Sequence, residues 1–136
     1  MGSTGIRVLV AALLTCGPVI IGPTIAARAA DGAAMCIDLR LPFERRRDRK
    51  RASRAQVLEA IGCDRLVPLP VSRSADEAMY RRRLQKMQGW STGPFLILCT
   101  HGARSARLAA MATDAGMAAR SVEGGTQWLG DILNLR

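Results

Sequence analysis

Phe95-Leu96-Ile97-Leu98-Cys99-Thr100-His101-Gly102-Ala103-Arg104-Ser105 decides how this chain folds. Its first four residues are apolar without alternation, which predicts a central strand covered on both faces. A short polar stretch containing a glycine follows. Ser105-Ala106-Arg107-Leu108-Ala109-Ala110-Met111-Ala112 then continues as an alanine-rich helix that ends near Gly116. A strand that passes through a tight loop into a helix is the repeating unit of a parallel sheet.

Working outward gives more of the same. Residues 118–122 read as a strand, Gly124-Gly125 as a turn and residues 126–133 as a last helix. Upstream, Met35-Cys36-Ile37-Asp38-Leu39-Arg40 is a buried strand whose polar end emerges at a sheet edge, and Leu41-Pro42 begins a turn. Residues 55–61 have helical spacing, with Gly62 as the stop. Leu66-Val67-Pro68-Leu69-Pro70 is extended, and its prolines place it at an edge or a strand end. Ser74 and Glu77 form a capping box for a helix over residues 75–88, closed by Gly89, and residues 91–94 turn back toward the central strand. Alternation of strands and helices predicts an α/β fold, a parallel sheet with helices on both faces.

The chain has 136 residues, 49% of them apolar and 23% charged, which fits one packed domain and excludes a two-domain enzyme. Only Phe43, Tyr80, Trp90, Phe95 and Trp128 are aromatic, too few for a surface that stacks nucleic-acid bases. Net charge is +9. Residues 1–7 are short and basic, residues 8–27 are almost purely apolar, and Ala27-Arg28-Ala29 has the small-x-small form of a cleavage site. Residues 1–29 are therefore expected to be an export signal and residues 34–136 the folded domain, in the periplasm. The competing reading is a membrane anchor over residues 8–27. Gly17-Pro18 and Gly22-Pro23 would break such a helix twice.

Loss of residues 1–29 removes two of the 20 basic side chains, Arg7 and Arg28, and none of the 11 acidic ones, leaving +7. Much of that surplus sits in Glu44-Arg45-Arg46-Arg47-Asp48-Arg49-Lys50-Arg51, extended by Arg54. The run over Arg45 to Arg54 reads either as a solvated face or as a site for an acidic protein partner or anionic lipid; export argues against nucleic acid. The signal would also take Cys16 away, leaving Cys36, Cys63 and Cys99, an odd number for an oxidising compartment. No cysteine pair has metal-ligand spacing and His101 is the only histidine, so no metal is expected.

In an open parallel sheet, ligands bind beyond the carboxyl ends of the strands. Cys99 is the first residue of such a loop. Its sulfur would meet the backbone N–H groups of the turn and the positive end of the helix that follows, with Arg104 and Arg107 nearby. All of these favour thiolate over thiol and make Cys99 the candidate nucleophile.

Residues 95–128 resemble the carboxyl half of a rhodanese domain. The matching features are an apolar strand, Cys99-Thr100-His101-Gly102-Ala103-Arg104-Ser105 for Cys-x-x-Gly-x-Arg-Ser, the alanine-rich helix, a strand, Gly124-Gly125 and Trp128. Ile37-Asp38-Leu39-Arg40 is similar to the family's Asp-x-Arg strand end, with Phe43-Glu44 near its usual Glu. The family's Gly-His-Ile-Pro-Gly-Ala segment is missing, and the strand and helix that often precede Asp-x-Arg have no counterpart once a signal is removed. Related phosphatases and arsenate reductases place the arginine six residues after the cysteine; here Cys99 to Arg104 is five, a ring suited to one extra sulfur atom.

The resemblance thus implies a three-layer rhodanese-like fold and a sulfurtransferase of the thiosulfate:cyanide type that needs no cofactor. Cys99 would carry a persulfide cradled by Thr100, His101, Gly102, Ala103 and Arg104, loaded by a small sulfur donor and discharged to a thiol or cyanide. Arg104 would also orient the loop and meet the donor's negative oxygens, with Arg107 as helper. Asp38 and Arg40 would brace the loop, and Gly124 and Gly125 would let backbone approach it. Cys36 is expected to be inert, while Cys63 either resolves the persulfide or pairs with Cys36. The alternative function is a non-catalytic persulfide carrier or anion-binding module in a periplasmic oxidation pathway. Residues 69–99 resemble exported rhodanese-like proteins associated with quinone-dependent alcohol oxidation, whose Cys-x-x-Cys-Trp loop is absent here.

Overall fold

The structure, a computed structural model, describes residues 19–20 and 34–134. The strands are β1 (Val19–Ile20), β2 (Met35–Asp38), β3 (Val67–Pro68), β4 (Phe95–Leu98) and β5 (Ala119–Val122). The helices are α1 (Pro42–Asp48), α2 (Arg54–Ile61), α3 (Glu77–Trp90), α4 (Ala103–Asp114) and α5 (Gly125–Asn134). All strands are parallel, in the order β1-β5-β4-β2-β3, so the apolar run is central.

Side-chain alternation along β2 and β4 builds two cores, one on each face of the sheet. Ile37, Phe95 and Ile97 point to the side of Tyr80 and Met87 from α3 and of Leu108, Ala109 and Ala112 from α4. Cys36, Leu96 and Leu98 point to the other side, against Val57 and Ile61 from α2 and Leu129 from α5. The result is the three-layer α/β arrangement that an unalternating apolar strand requires.

The elements differ from the sequence expectation in four places. Pro42 is the first residue of α1 rather than part of a turn, which suits a residue with fixed φ and no N–H to satisfy. The cap of α3 is Asp76, whose carboxylate accepts from Met79 N at 2.9 Å; Ser74 instead lies 3.4 Å from Ser72 Oγ. Gly89 does not take the left-handed backbone that would end a helix, so α3 runs through it to Trp90 before Ser91 takes an extended backbone. Finally, Val19–Ile20 pairs in parallel with Ser121 and Val122, so a strand does occupy the β5 edge.

That strand lies within residues 1–29. The remainder of the expected signal, and most of the alternative anchor over residues 8–27, lie outside the described residues. Among the described residues no helix is long and apolar enough to cross a membrane.

Cys36 and Cys63 form a disulfide, with Cα atoms 6.4 Å apart. This corrects the expectation that Cys36 is an inert thiol, and it removes Cys63 as a resolving partner for Cys99. The alternation of the sheet gives the reason. Cys36 belongs to the core under α2, with Cys63 packed against it, whereas Cys99 belongs to the core under α3 and α4.

Candidate active site

The β4 strand delivers Cys99 to the carboxyl edge of the sheet, where the chain turns through residues 100–102 into α4. Gly102 makes this turn possible: its φ of 98° is in the left-handed region, and a Cβ there would stand 2.8 Å from Gly124 N. Cys99 Sγ accepts from Gly102 N at 3.0 Å and Ser105 N at 3.5 Å, and its thiol donates to Ser105 Oγ at 3.3 Å. Ser105 Oγ in turn donates to Gly102 O at 3.1 Å and lies 2.7 Å from Ser121 Oγ. Cys99 is 1% exposed, and among the described residues it is the free cysteine. It lies in the wall of a cavity of about 210 Å³ that is also lined by Arg73, His101, Ala103 and Arg104.

Arg104 lines the cavity with Cys99, and its guanidinium is engaged from within the fold. Its Nη1 donates to Glu44 Oε1 at 2.9 Å and to Val71 O at 2.8 Å, and its Nη2 to Glu44 Oε2 at 2.6 Å. The guanidinium therefore ties α4 to α1 and to the loop after β3. Its hydrogen bonds to Glu44 are the main reason its pKa is raised. Glu44 is completely buried, and burial opposes its ionisation; hydrogen bonds from Arg104, Leu41 N and Thr100 outweigh that and lower its pKa to about 2. The cavity's open cation is Arg73, whose side chain is 58% exposed and whose Nη2 stands 4.0 Å from Glu44 Oε2.

A second buried carboxylate continues the network. Asp48 Oδ2 accepts from Thr126 Oγ1 at 2.8 Å, Arg40 Nη1 at 3.3 Å and Thr100 Oγ1 at 3.4 Å. Arg40 also donates to both oxygens of Asp38, at 3.0 Å each. Burial opposes the charge on Arg40, but Asp38 and Asp48 more than offset it and raise its pKa. Asp38 and Arg40 thus reach the loop through Asp48 rather than directly. The two carboxylates sit four apart on α1, so both face inward while Arg46, Arg47 and Arg49 face solvent.

The remaining candidates fall around this centre. Gly124 and Gly125 lie against the loop, Gly125 so closely that a Cβ would collide with the carbonyls of Cys99 and Thr100. Thr126 N and Gln127 N donate to those two carbonyls at 3.0 Å each. Trp128 packs on the core under α2. His101 and Ala103 are exposed at the cavity rim. Arg107 lies outside the cavity lining, its guanidinium 4.2 Å over the Tyr80 ring.

Sequence reasoning gave no role to Glu44, Asp48, Ser105, Ser121 or Arg73. The i, i+4 spacing of two acids inside a basic run was the available signal for the first pair. Arg73 stands in a polar loop with nothing in the sequence to mark it. Among the described residues no group of three or more His, Cys, Asp or Glu side chains is placed to hold a metal ion.

No family model and no curated protein matches this sequence. Solved structures do. The reduced CoADR-RHD protein of Bacillus anthracis aligns over 88% of this chain with a TM-score of 0.57 and 18% identity. The chain spans only 18% of that protein's length, and the similarity is to its rhodanese homology domain. A Rhodopseudomonas palustris protein of unknown function, described as a possible tyrosine phosphatase, aligns over 97% of this chain and 96% of its own with a TM-score of 0.50 and 20% identity. At these identities the likeness is one of fold. The parallel sheet, its helices on both faces and the cysteine loop at its carboxyl edge make this a rhodanese-like α/β fold.

Proposed function

We propose that the protein is a sulfurtransferase that carries a sulfane sulfur on Cys99. The observation that carries this reading is the Cys99 sulfur held by Gly102 N–H, Ser105 N–H and the Ser105 hydroxyl in the wall of a small cavity with Arg73 at its side. These groups favour a negative sulfur, and the Ser105 hydroxyl can rotate its proton from Gly102 O to a thiolate. In the loading step the Cys99 thiolate attacks the outer sulfur of thiosulfate. The donor's S–S bond breaks, its electron pair leaves with sulfite, and a Sγ–S bond forms. Arg73 meets the donor's oxygens, while Arg104 is a positioning residue that acts through Glu44. An acceptor thiolate or cyanide then takes the outer sulfur and returns Cys99 to its thiolate.

The five-residue interval from Cys99 to Arg104, and an Arg104 guanidinium turned to Glu44 and Val71, both favour this reading over phosphate-ester hydrolysis. The Cys36–Cys63 pair supports an oxidising compartment, the periplasm in this reading, for residues 34–136; cleavage of residues 1–29 would take Val19–Ile20 away from the β5 edge. The outward arginines of the 45–54 run form a basic face suited to an acidic protein partner or anionic lipid.

Purified protein exposed to thiosulfate should gain one sulfur atom by intact mass and turn over thiosulfate and cyanide to thiocyanate. A Cys99→Ser variant should do neither. Equal turnover by the variant, or phosphatase activity without sulfur loading, would overturn the proposal.

A further inference from the structure

Ser121 places a hydroxyl in an otherwise apolar layer. It is fully buried in β5 and pairs in register with Ile97. Strand alternation turns it to the same face as Ala119, which belongs with Ile97, Leu108 and Ala109 to the core under α3 and α4. A hydroxyl loses its water there and must find a partner within the protein. Among the described residues Ser121 has one, Ser105 Oγ at 2.7 Å.

Neighbouring bonds fix the direction of that contact. Ser105 Oγ has a single proton, which it donates to Gly102 O at 3.1 Å while the Cys99 thiol donates to Ser105 Oγ at 3.3 Å. Were Ser105 to donate to Ser121 instead, the Ser121 proton would have no acceptor among the described residues. Ser121 therefore donates and Ser105 accepts. The direction survives ionisation of Cys99. Once the thiol proton is gone, the Ser105 O–H turns to Sγ, and Gly102 O keeps the N–H of Ala106 at 3.0 Å.

Resting on the reading of Cys99 as the sulfur carrier, we infer that Ser121 is a positioning residue for the Cys99 thiolate: through Ser105 it reserves one hydroxyl proton for the sulfur. Donation into Ser105 Oγ polarises the Ser105 O–H and strengthens it as a donor to a negative acceptor. It also leaves Gly102 O and Sγ as the two targets between which that proton moves. When the thiolate forms the Sγ–S bond, the donor's S–S bond breaks and its electron pair leaves with sulfite. The charge on the protein passes to the outer sulfur, and the Ser105 proton returns to Gly102 O. On discharge the electron pair of the Sγ–S bond returns to Sγ, and the proton turns back to it.

The test reads the thiolate directly. The full chain is alkylated with iodoacetamide at pH 7, and the rate at Cys99 is followed by mass analysis of its peptide. Ser121→Ala should react about 3- to 10-fold more slowly than wild type, the size of one neutral hydrogen bond. Ser105→Ala should lose about 10- to 100-fold, because its hydroxyl meets a charge. Since Ser121 acts through Ser105, Ser105→Ala/Ser121→Ala should be no slower than Ser105→Ala alone. A merely structural contribution of Ser121 would multiply the two losses. Ser121→Thr and Ser121→Val have the same shape and differ in the hydroxyl, so Thr should react about 3- to 10-fold faster than Val even if the added volume disturbs both. Multiplied losses in the double variant, or equal rates for Thr and Val, would overturn the assignment. Single-turnover loading with thiosulfate should follow the same order. If the alkylation pattern holds while wild type never gains sulfur, the role of Ser121 stands and the sulfur-transfer reading alone fails.

Discussion

Glu44 illustrates how one buried carboxylate can hold the Cys99 loop in place. It is completely enclosed and accepts from Arg104, Thr100 and Leu41 N, which join α4, the loop and the start of α1. Glu44→Gln leaves the Arg104 guanidinium buried without its counter-charge, a change that costs roughly 3–5 kcal/mol in such settings. A carboxyl whose pKa is lower folded than unfolded contributes stability above its unfolded value and loses it as pH falls through the folded one. For Glu44 those limits are the ordinary 4.5 and about 2. The stability gap between wild type and Glu44→Gln should therefore be full at neutral pH and narrow steadily between these two values. Urea denaturation across that pH series checks it, and a gap that stays constant would contradict the role given to the Glu44–Arg104 pair.

At the scale of elements, the contrast between two glycines separates close approach from mere helix composition. Gly125 has a φ of 62° and no room for a Cβ beneath the Cys99 and Thr100 carbonyls, the same carbonyls that accept from Thr126 N and Gln127 N. Gly125→Ala should push the start of α5 off the loop, destabilise the fold by about 2–3 kcal/mol and slow sulfur loading at least tenfold. Gly89 lies inside α3 with open space around it, so Gly89→Ala should stabilise by roughly 0.5–1 kcal/mol and leave loading unchanged. Chemical denaturation and single-turnover loading read both variants.

The elements also show what was legible beforehand. The run from Phe95 to Leu98 announced a doubly covered strand because its chemistry is one-dimensional: four apolar residues admit few other environments. Gly62, in the left-handed region at the end of α2, was equally readable. By contrast, the α3 cap depended on which of two nearby acceptors, Ser74 or Asp76, meets a free N–H, and sequence spacing alone favours neither. The partners of Arg104 were hidden for a related reason. Glu44 and Val71 are 60 and 33 residues away, and only tertiary packing brings them to its guanidinium.

For the whole molecule, the two faces of the sheet keep the disulfide and the free thiol apart. The Cys36–Cys63 bridge closes a sequence separation of 27 on the face of α2, while Cys99 packs toward α3 and α4. Closing a loop of this length should stabilise by about 3–4 kcal/mol, mainly by restricting the unfolded chain. For a domain of roughly 100 residues each kcal/mol moves Tm by about 4–8 °C. A Cys36→Ala/Cys63→Ala variant should therefore melt at least about 12 °C below the oxidised wild type yet load sulfur at Cys99 as fast at 25 °C. Reductant should lower the wild-type Tm toward that of the variant and leave the variant's own Tm unchanged. If the variant instead lost loading while still folded at 25 °C, the bridge would be coupled to the site through the sheet, and the separation argued from strand alternation would be wrong.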